Sequence, residues 1–396
     1  MAINAIPVVV EVVGFPVFFS LRHLQGIIMS TLFSPLRLGP VTLNNRIIIA
    51  PMCQYSAEDG HMQAWHDQHL GSLAQSGAGL LIFEASAVTP EGRITQGDVG
   101  LWDDATRDAM KTVVDNIRRY SPMPLAVQIG HAGRKASCQK PWDGGAAISP
   151  EQDNGWQTLA PSAIPFSEGG PLPEAMTAQQ IARTIEDFVL AARRAVDAGL
   201  EGIELHAAHG YLLHQFLSPL SNQREDAYGG TLENRMRLTL DIFDAVRASI
   251  PDHIVLGVRI SATDWVEGGW DLAQSIELAK QLDTRGCHYL HVSSGGLSEQ
   301  QQIPVEPNYQ VPHAEALKSH VVMPVIAVGL ITEPQQAEDL LSNERADAVA
   351  LARGILYDPR WPWHAAAALG ETLKASPQYL RCQPHGLKHL LENQQD

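Results

Sequence analysis

From residue 31 onward the chain alternates short, nearly continuous apolar runs with longer stretches whose apolar positions recur at helical spacing. The runs are RIIIAPM (46–52), GLLIFEASAV (79–88), PLAVQIGHAG (124–133), GIELHAAHG (202–210), IVLGVRIS (254–261), YLHVSSGG (289–296), VIAVGLI (325–331) and AVALARGIL (348–356). Runs of this length, rich in aliphatic residues and turning to glycine or polar groups at their ends, describe strands buried on both faces. Between them, TAQQIARTIEDFVLAARRAVDAGL (177–200) has helical periodicity, opens at a Thr177 N-cap and closes at Gly199. The stretches that begin at Thr231 and Asp271 behave alike. Eight strand–helix units in succession predict a parallel sheet closed into a (β/α)8 TIM barrel, an α/β fold. An open doubly wound sheet would want a glycine fingerprint after its first strand, where this chain has APMCQY.

Three departures refine the barrel. LFSPLRLGPVTLNN (32–45) reads as a β-hairpin turning at Gly39-Pro40 and capping the bottom. Residues 134–176, rich in Gly, Pro and Ser, form a long excursion after strand three, of the kind that carries a lid or subdomain. Residues 1–30 read as an appended segment outside the fold, with Met29 a natural start; Pro7, Glu11 and Pro16 break its apolar character, so neither a secretory signal nor a spanning helix is well formed. The organisation expected is therefore an appended segment (1–30), one barrel (31–372) and a C-terminal tail (373–396).

Composition narrows the functional classes. The 396 residues, 45% apolar and 18% charged, are ordinary for a globular protein, and the net charge of −16 argues against nucleic acid or an anionic membrane as partner. A small-molecule substrate is expected instead. The four cysteines, Cys53, Cys138, Cys287 and Cys382, lie far apart with no C-x-x-C pair, so neither a zinc ribbon nor an iron–sulfur cluster is offered. Scattered cysteines suit a reducing cytoplasm.

In such a barrel the chemistry sits at the C-terminal ends of the strands. Those ends carry Cys53 and Tyr55, then Glu84 and Ala85, then Gln128 and His131, then His206, His209 and Tyr211, then Arg259, Ser293, Gly329 and Arg353. Gly329 and Arg353, after strands seven and eight, offer close backbone approach and a fixed positive charge; taken singly a turn and a surface ion pair are favoured, and as a matched pair in these two loops a phosphate site is. Gln128 and Arg259 suit a planar heterocycle such as a reduced flavin, whose pyrimidine edge gathers negative charge, and a buried Arg–carboxylate pair is the competing use. In ELHAAHGYLLHQFLSP (204–219) the pair His206 and His209 reads as two neutral imidazole donors to one substrate oxygen, with Tyr211 as proton donor and His214 as a core histidine satisfied by the backbone. The alternative is a metal-dependent lyase or hydrolase using His206, His209 and Glu204. Its weakness is a missing third ligand, with Glu204 read as alternating away from His206, and no metal is expected.

The motifs APMCQYSAEDG, VQIGHAGRK, ELHAAHGYLLHQFLSPLSNQREDAYGGTLENRMR, AVGLIT and ARGILYDPRWPW, in this order, resemble the old yellow enzyme family of FMN-dependent ene-reductases. The likeness runs from about residue 31 to about 381, and its R-x-D-x-Y-G-G-x-x-x-N-R-x-R run at 224–237 is highly specific. Cys53, where many relatives carry threonine, resembles the thermophilic-like subgroup of NADPH dehydrogenases and xenobiotic reductases. The resemblance implies FMN lined by Ala50, Pro51, Met52, Cys53, Ala85, Gln128 and Arg259, with its phosphate at Gly329, Ala352 and Arg353. It implies that His206 and His209 bind the substrate oxygen, that Tyr211 protonates the α-carbon, that Cys53 tunes the flavin and that Tyr55 positions the ligand. Lys135 matches a position near the substrate mouth, and NQREDAYGG reads as a structural network of turns and ion pairs. NADPH or NADH would be the reductant, and activated C=C bonds of unsaturated carbonyl or nitro compounds the substrates, in a ping-pong order. A homodimer or homotetramer is implied, in which Arg381 of PQYLRC enters a neighbouring site.

Overall fold

The computed structural model describes residues 30–394. The expectation for the N-terminal segment therefore lies outside the described residues, apart from Ser30. There the chain is pinned to the fold: Ser30 N donates to Glu371 Oε1 at 2.6 Å, and the backbone N–H groups of Thr31 and Leu32 donate to the Glu338 carboxylate, each at 2.9 Å.

Eight parallel strands close a barrel: β1 (Ile47–Ile49), β2 (Leu80–Ala87), β3 (Leu125–Gly130), β4 (Gly202–Ala207), β5 (Val255–Ser261), β6 (Leu290–Ser293), β7 (Val325–Ala327) and β8 (Ala348–Leu351). Each pairs with its successor in the chain, and β8 returns to β1 through Ala350 opposite Ile48. All eight fall within the apolar runs of the sequence, but several are shorter. The last residues of the runs, such as 50–52 and 328–331, leave the ladder and become the loops of the C-terminal rim.

Two apolar layers hold the barrel together. Outside, the strands bury Ile47, Ile49, Leu81, Phe83, Leu205 and Val258 against the helix shell. Helix Ala178–Asp197 belongs to that shell; Thr177 Oγ1 accepts from Gln180 N at 3.2 Å, and Gly199, just past its end, has φ +92. Inside, Ile48, Leu80, Ile82, Ala126, Val255 and Tyr289 meet Leu36, Leu38 and Leu43 of the hairpin. The hairpin strands Leu36–Leu38 and Val41–Leu43 are antiparallel, and this apolar contact plugs the bottom as the sequence predicts. Above it the interior becomes polar, with Gln128, Glu204, Arg259 and His291 all buried.

The excursion 134–176 folds over the rim with a two-residue pairing, Leu159–Ala160 against Glu174–Ala175, and a single bridge between Cys138 and Ala147. Between it and the barrel mouth lies a cleft of about 450 Å³, lined in part by Tyr55, Arg134, Lys135, Cys138 and Phe166. The C-terminal segment forms a parallel pair, Leu373–Ala375 with Leu391–Asn393, and buries Leu373, Ala375, Leu390 and Leu391 in the outer core. Among the described residues no helix is long and apolar enough to cross a membrane.

Candidate active site

The stretch after β4 turns sharply because two successive residues are left-handed, His209 at φ +59 and Gly210 at φ +75. A side chain at 210 would meet Gly296 O at 2.1 Å, so this turn lies backbone to backbone against the loop after β6. Helix Leu212–Leu217 then begins with Tyr211 at its cap. The outcome is a cluster: the His206 ring lies 5.2 Å from that of His209 and 5.0 Å from that of Tyr211, edge-on in both cases. Lys135 locks the cluster from above, its Nζ donating to His209 O and to Gly296 O, both at 2.8 Å, and lying 5.1 Å from the Tyr211 ring centroid. His214 turns inward instead. It accepts from Gly210 N at 2.8 Å, as a satisfied core histidine should, and its Nε2 lies 2.8 Å from Asp264, a partner that sequence reasoning missed.

The electrostatics fix the protonation states. Burial, then the Arg259 guanidinium, holds both His206 and His209 well below the usual imidazole range, so both are neutral at neutral pH. Burial, then the neighbourhood of Cys53 and Tyr55, pushes the Tyr211 phenol well up, so it keeps its proton. Burial, then Asp98 and Glu84, likewise raises the Cys53 thiol, and burial lowers the Lys135 ammonium to about 8. Of the imidazole nitrogens, His209 Nε2 lies 2.7 Å from Ser293 Oγ and His206 Nδ1 is buried without a partner. Among the described residues, no hydrogen bond reaches His206 Nε2 or His209 Nδ1.

Below the cluster, the reading of Glu204 is corrected. Residues two apart on a strand share a face, so Glu204 and His206 both point into the barrel. Glu204 is nevertheless committed elsewhere: Gln128 Nε2 donates to its Oε1 at 2.7 Å, and His291 Nδ1 lies 2.9 Å from its Oε2. Burial alone would raise this carboxyl, but His291, Arg259 and Gln128 outweigh it and hold it below the usual range. The metal-dependent alternative is thus not favoured, and among the described residues no group of three or more His, Cys, Asp or Glu converges as a metal set. The carboxylate expected as the competing use of Arg259 is therefore present in Glu204, yet Arg259 Nε remains buried without a partner. A guanidinium so placed, on the strand beside neutral His206 and near an amide that Glu204 orients, suits the electron-rich edge of a planar ring.

The remaining expected residues distribute as follows. Ala50, Pro51, Met52 and Cys53 leave β1 at the rim, where Ala50 N donates to Leu351 O at 2.9 Å and Gln54 N to Glu84 Oε2 at 2.8 Å. Ala85 sits in an irregular stretch of β2, between Phe83 and Ser86, where the register with β3 shifts. Gly329 has φ +125, and a Cβ at Gly354 would lie 3.9 Å from Ile331 O of the loop Gly329 begins. Ala352 precedes the short helix Arg353–Tyr357, and the Arg353 side chain is exposed beside Tyr309. Tyr55, left-handed at φ +51, lines the cleft with Lys135 and packs edge-on to Trp142. Arg381 is exposed in the segment Pro377–Cys382, and this chain does not bring it to its own cluster. NQREDAYGG is a structural network: Asn222 Nδ2 donates to Phe216 O and Tyr228 O, and Arg224 to Pro161 O and Met176 O.

The chain is similar to known proteins over most of its length. Residues 31–371 match the model of the NADH:flavin oxidoreductase / NADH oxidase family. An NADPH dehydrogenase of Listeria innocua is 44% identical over 355 residues, which is 89% of this chain and 99% of that protein. An NADPH dehydrogenase of a Geobacillus species is 43% identical over 352 residues, 88% of this chain and 98% of that one. Among solved structures, morphinone reductase in complex with tetrahydroNAD superposes with a TM-score of 0.69 at 28% identity, covering 92% of this chain and 98% of that one. A 2-naphthoyl-CoA reductase superposes with a TM-score of 0.77 at 25% identity over 86% of this chain, which spans 52% of that enzyme.

Proposed function

The chain belongs to the NADH:flavin oxidoreductase / NADH oxidase family, FMN-dependent oxidoreductases of NADH and NADPH, and from that premise we propose that it reduces the activated C=C bond of α,β-unsaturated carbonyl and nitro compounds. Bound FMN would supply hydride-transfer chemistry between NADPH or NADH and the alkene, in a ping-pong order. The residues present fit this group. Arg259 and Gln128 would hold the pyrimidine edge, with the unpartnered Arg259 Nε placing fixed positive charge where reduction gathers negative charge. Ala50, Pro51, Met52, Cys53 and Ala85 would flank the ring, and Gly329, Ala352 and Arg353 would take the phosphate. The protonated thiol of Cys53 would contact the ring without adding charge to it.

The chain's own chemistry lies in the cluster above. His206 Nε2 and His209 Nδ1, both on neutral rings, would donate to the carbonyl or nitro oxygen and draw electron density from the β-carbon. As a hydride arrives there, the negative charge that develops on the oxygen is held by the same two N–H groups. Tyr211 would give its proton to the α-carbon and recover one from solvent. Tyr55, at the mouth, would position the ligand, and the enclosing excursion would exclude water.

The observation that carries this reading is the cluster of two neutral imidazoles and a protonated phenol beside Arg259 at the barrel mouth. An anaerobic assay of the purified, yellow holoenzyme with NADPH and cyclohexenone tests it. Cyclohexanone formed in step with NADPH consumed is expected; NADPH oxidation that proceeds only with oxygen and leaves the enone intact would sink it.

A further inference from the structure

Tyr55 stands at the cleft mouth in a conformation that its own side chain disfavours, with φ +51 in the left-handed region. Such a backbone persists only where its surroundings hold it. Here the turn 94–98, in the loop that follows β2, does the holding. Buried Asp98 closes that turn: its carboxylate accepts from Ile94 N at 2.8 Å, Thr95 N at 3.1 Å and Thr95 Oγ1 at 2.8 Å. Thr95 Oγ1 accepts in turn from Gly97 N at 3.0 Å. The closed turn is tied on two sides. Ala87 N donates to Val99 O and Leu101 N to Ala87 O, which bind it to β2, and Cys138 N donates to Ile94 O, which binds it to the excursion. The backbone of Tyr55 lies directly against this anchored turn. A Cβ at Gly97 would meet Tyr55 C and Lys140 Cε, each at 2.7 Å, and Tyr55 O closer still. Ala57 N, two residues on, donates to Gly97 O at 2.8 Å and fastens the contact. Lys140, after crossing Gly97, carries its Nζ to 5.7 Å from the Trp142 ring centroid, and Trp142 meets the Tyr55 ring edge-on at 5.9 Å.

We propose that Gly97, in the turn that Asp98 closes, holds Tyr55 in its left-handed conformation and so sets where the Tyr55 ring meets the ligand. This rests on the assignment of Tyr55 to ligand positioning. Gly97 is itself a positioning residue, acting through Tyr55 and touching no substrate. Any side chain at 97 must displace either the turn or Tyr55, because the atoms it would meet are backbone. The turn is buried and bonded to both β2 and the excursion, whereas Tyr55 is half-buried in a backbone conformation it would leave readily. Tyr55 therefore gives way, and its ring leaves the place where Trp142 meets it.

The test is a double-mutant cycle on the holoenzyme, with 4-nitrophenol titrated as an oxygen ligand and followed by its own absorbance. Tyr55→Ala should weaken 4-nitrophenol about tenfold, the worth of one hydrogen bond of about 1.4 kcal/mol. Gly97→Ala should weaken it by as much, and the double variant by no more than Tyr55→Ala alone, since the two changes remove one contact. FMN affinity, read by flavin fluorescence, should stay native in all three. Thr95→Val loosens the same turn without adding bulk at 97, and takes the place of Gly97→Ala should that variant fail to fold. It should give a smaller loss, which Tyr55→Ala again absorbs. Native 4-nitrophenol affinity in the turn variant, with only its urea midpoint lowered, overturns the proposal, because the turn then serves folding alone. Losses that add in the double variant overturn it as well. Unchanged affinity in Tyr55→Ala overturns the underlying assignment of Tyr55 instead.

Discussion

At the residue scale, the candidate site joins side chains that lie close together in the chain to partners brought from distant strands. His206, His209 and Tyr211 fall within six positions, and one turn delivers all three. Their neutral and protonated states follow from burial, which the apolar surround already implied. The partners of these residues come from far away. Ser293 stood out in the sequence only as a polar strand end, and nothing marked Gln310, whose Oε1 accepts from Ser293 Oγ. The misjudged orientation of Glu204 hid its bonds to Gln128 and His291, which make it part of the floor rather than a ligand. Tyr211→Phe tests the division of labour directly. In stopped flow, the half-reaction with cyclohexenone should slow by about 10²–10⁴-fold, the usual worth of a placed general acid, while the half-reaction with NADPH keeps its rate. Equal loss in both would remove Tyr211 as proton donor. Lys135→Met, which removes the clamp on His209 O and Gly296 O, should weaken 4-nitrophenol binding while leaving the FMN affinity, read by flavin fluorescence, unchanged.

At the scale of elements, eight apolar runs became eight strands because a parallel barrel buries both faces of every strand, and that demand writes itself as continuous hydrophobicity. What the runs did not reveal is where pairing stops. Residues 50–52 and 328–331 are as apolar as the strands before them, yet they leave the ladder at the rim. The interior of the barrel is equally silent in sequence, since its packing depends on which strands become neighbours. Gly257 of β5 and Tyr289, just before β6, show this: a Cβ at 257 would sit 2.3 Å from Tyr289 ring carbons. Tyr289 fills the barrel axis only because Gly257 vacates it. Gly257→Ala should therefore destabilise the fold by about 1–3 kcal/mol through overpacking, seen as a lower urea midpoint. Gly257→Ala combined with Tyr289→Phe should recover little, because the clash is with the ring and not the hydroxyl.

At the scale of the whole molecule, the acidity legible in the composition and the burial of titratable groups visible in the fold make opposing statements about pH. Acidification reduces the net charge of −16 and its self-repulsion. It also confronts a set of histidines that the fold keeps neutral, His206, His209 and His291 within the barrel and His131 beside them. For His131, burial lowers the ring from the ordinary 6.5 to about 4. Between those values the unfolded chain binds a proton that the folded chain refuses, so this group's contribution to stability falls as pH falls. Asp98 works the other way: burial raises it from 3.8 to about 7, so over that window the folded chain binds the extra proton and gains stability as pH falls. The two residues line one small cavity of about 20 Å³ with His206 and Tyr211, room for a single water. One for one they offset each other, and the three barrel histidines decide the balance. Urea midpoints of the holoenzyme should thus decline as pH is lowered from 6.5 toward 4. His131→Asn should flatten that decline and Asp98→Asn should steepen it. Net charge cannot imitate such opposite changes, because easing of the general repulsion is common to every variant. Parallel curves for the native protein and both variants would mean that neither group titrates differently in the fold.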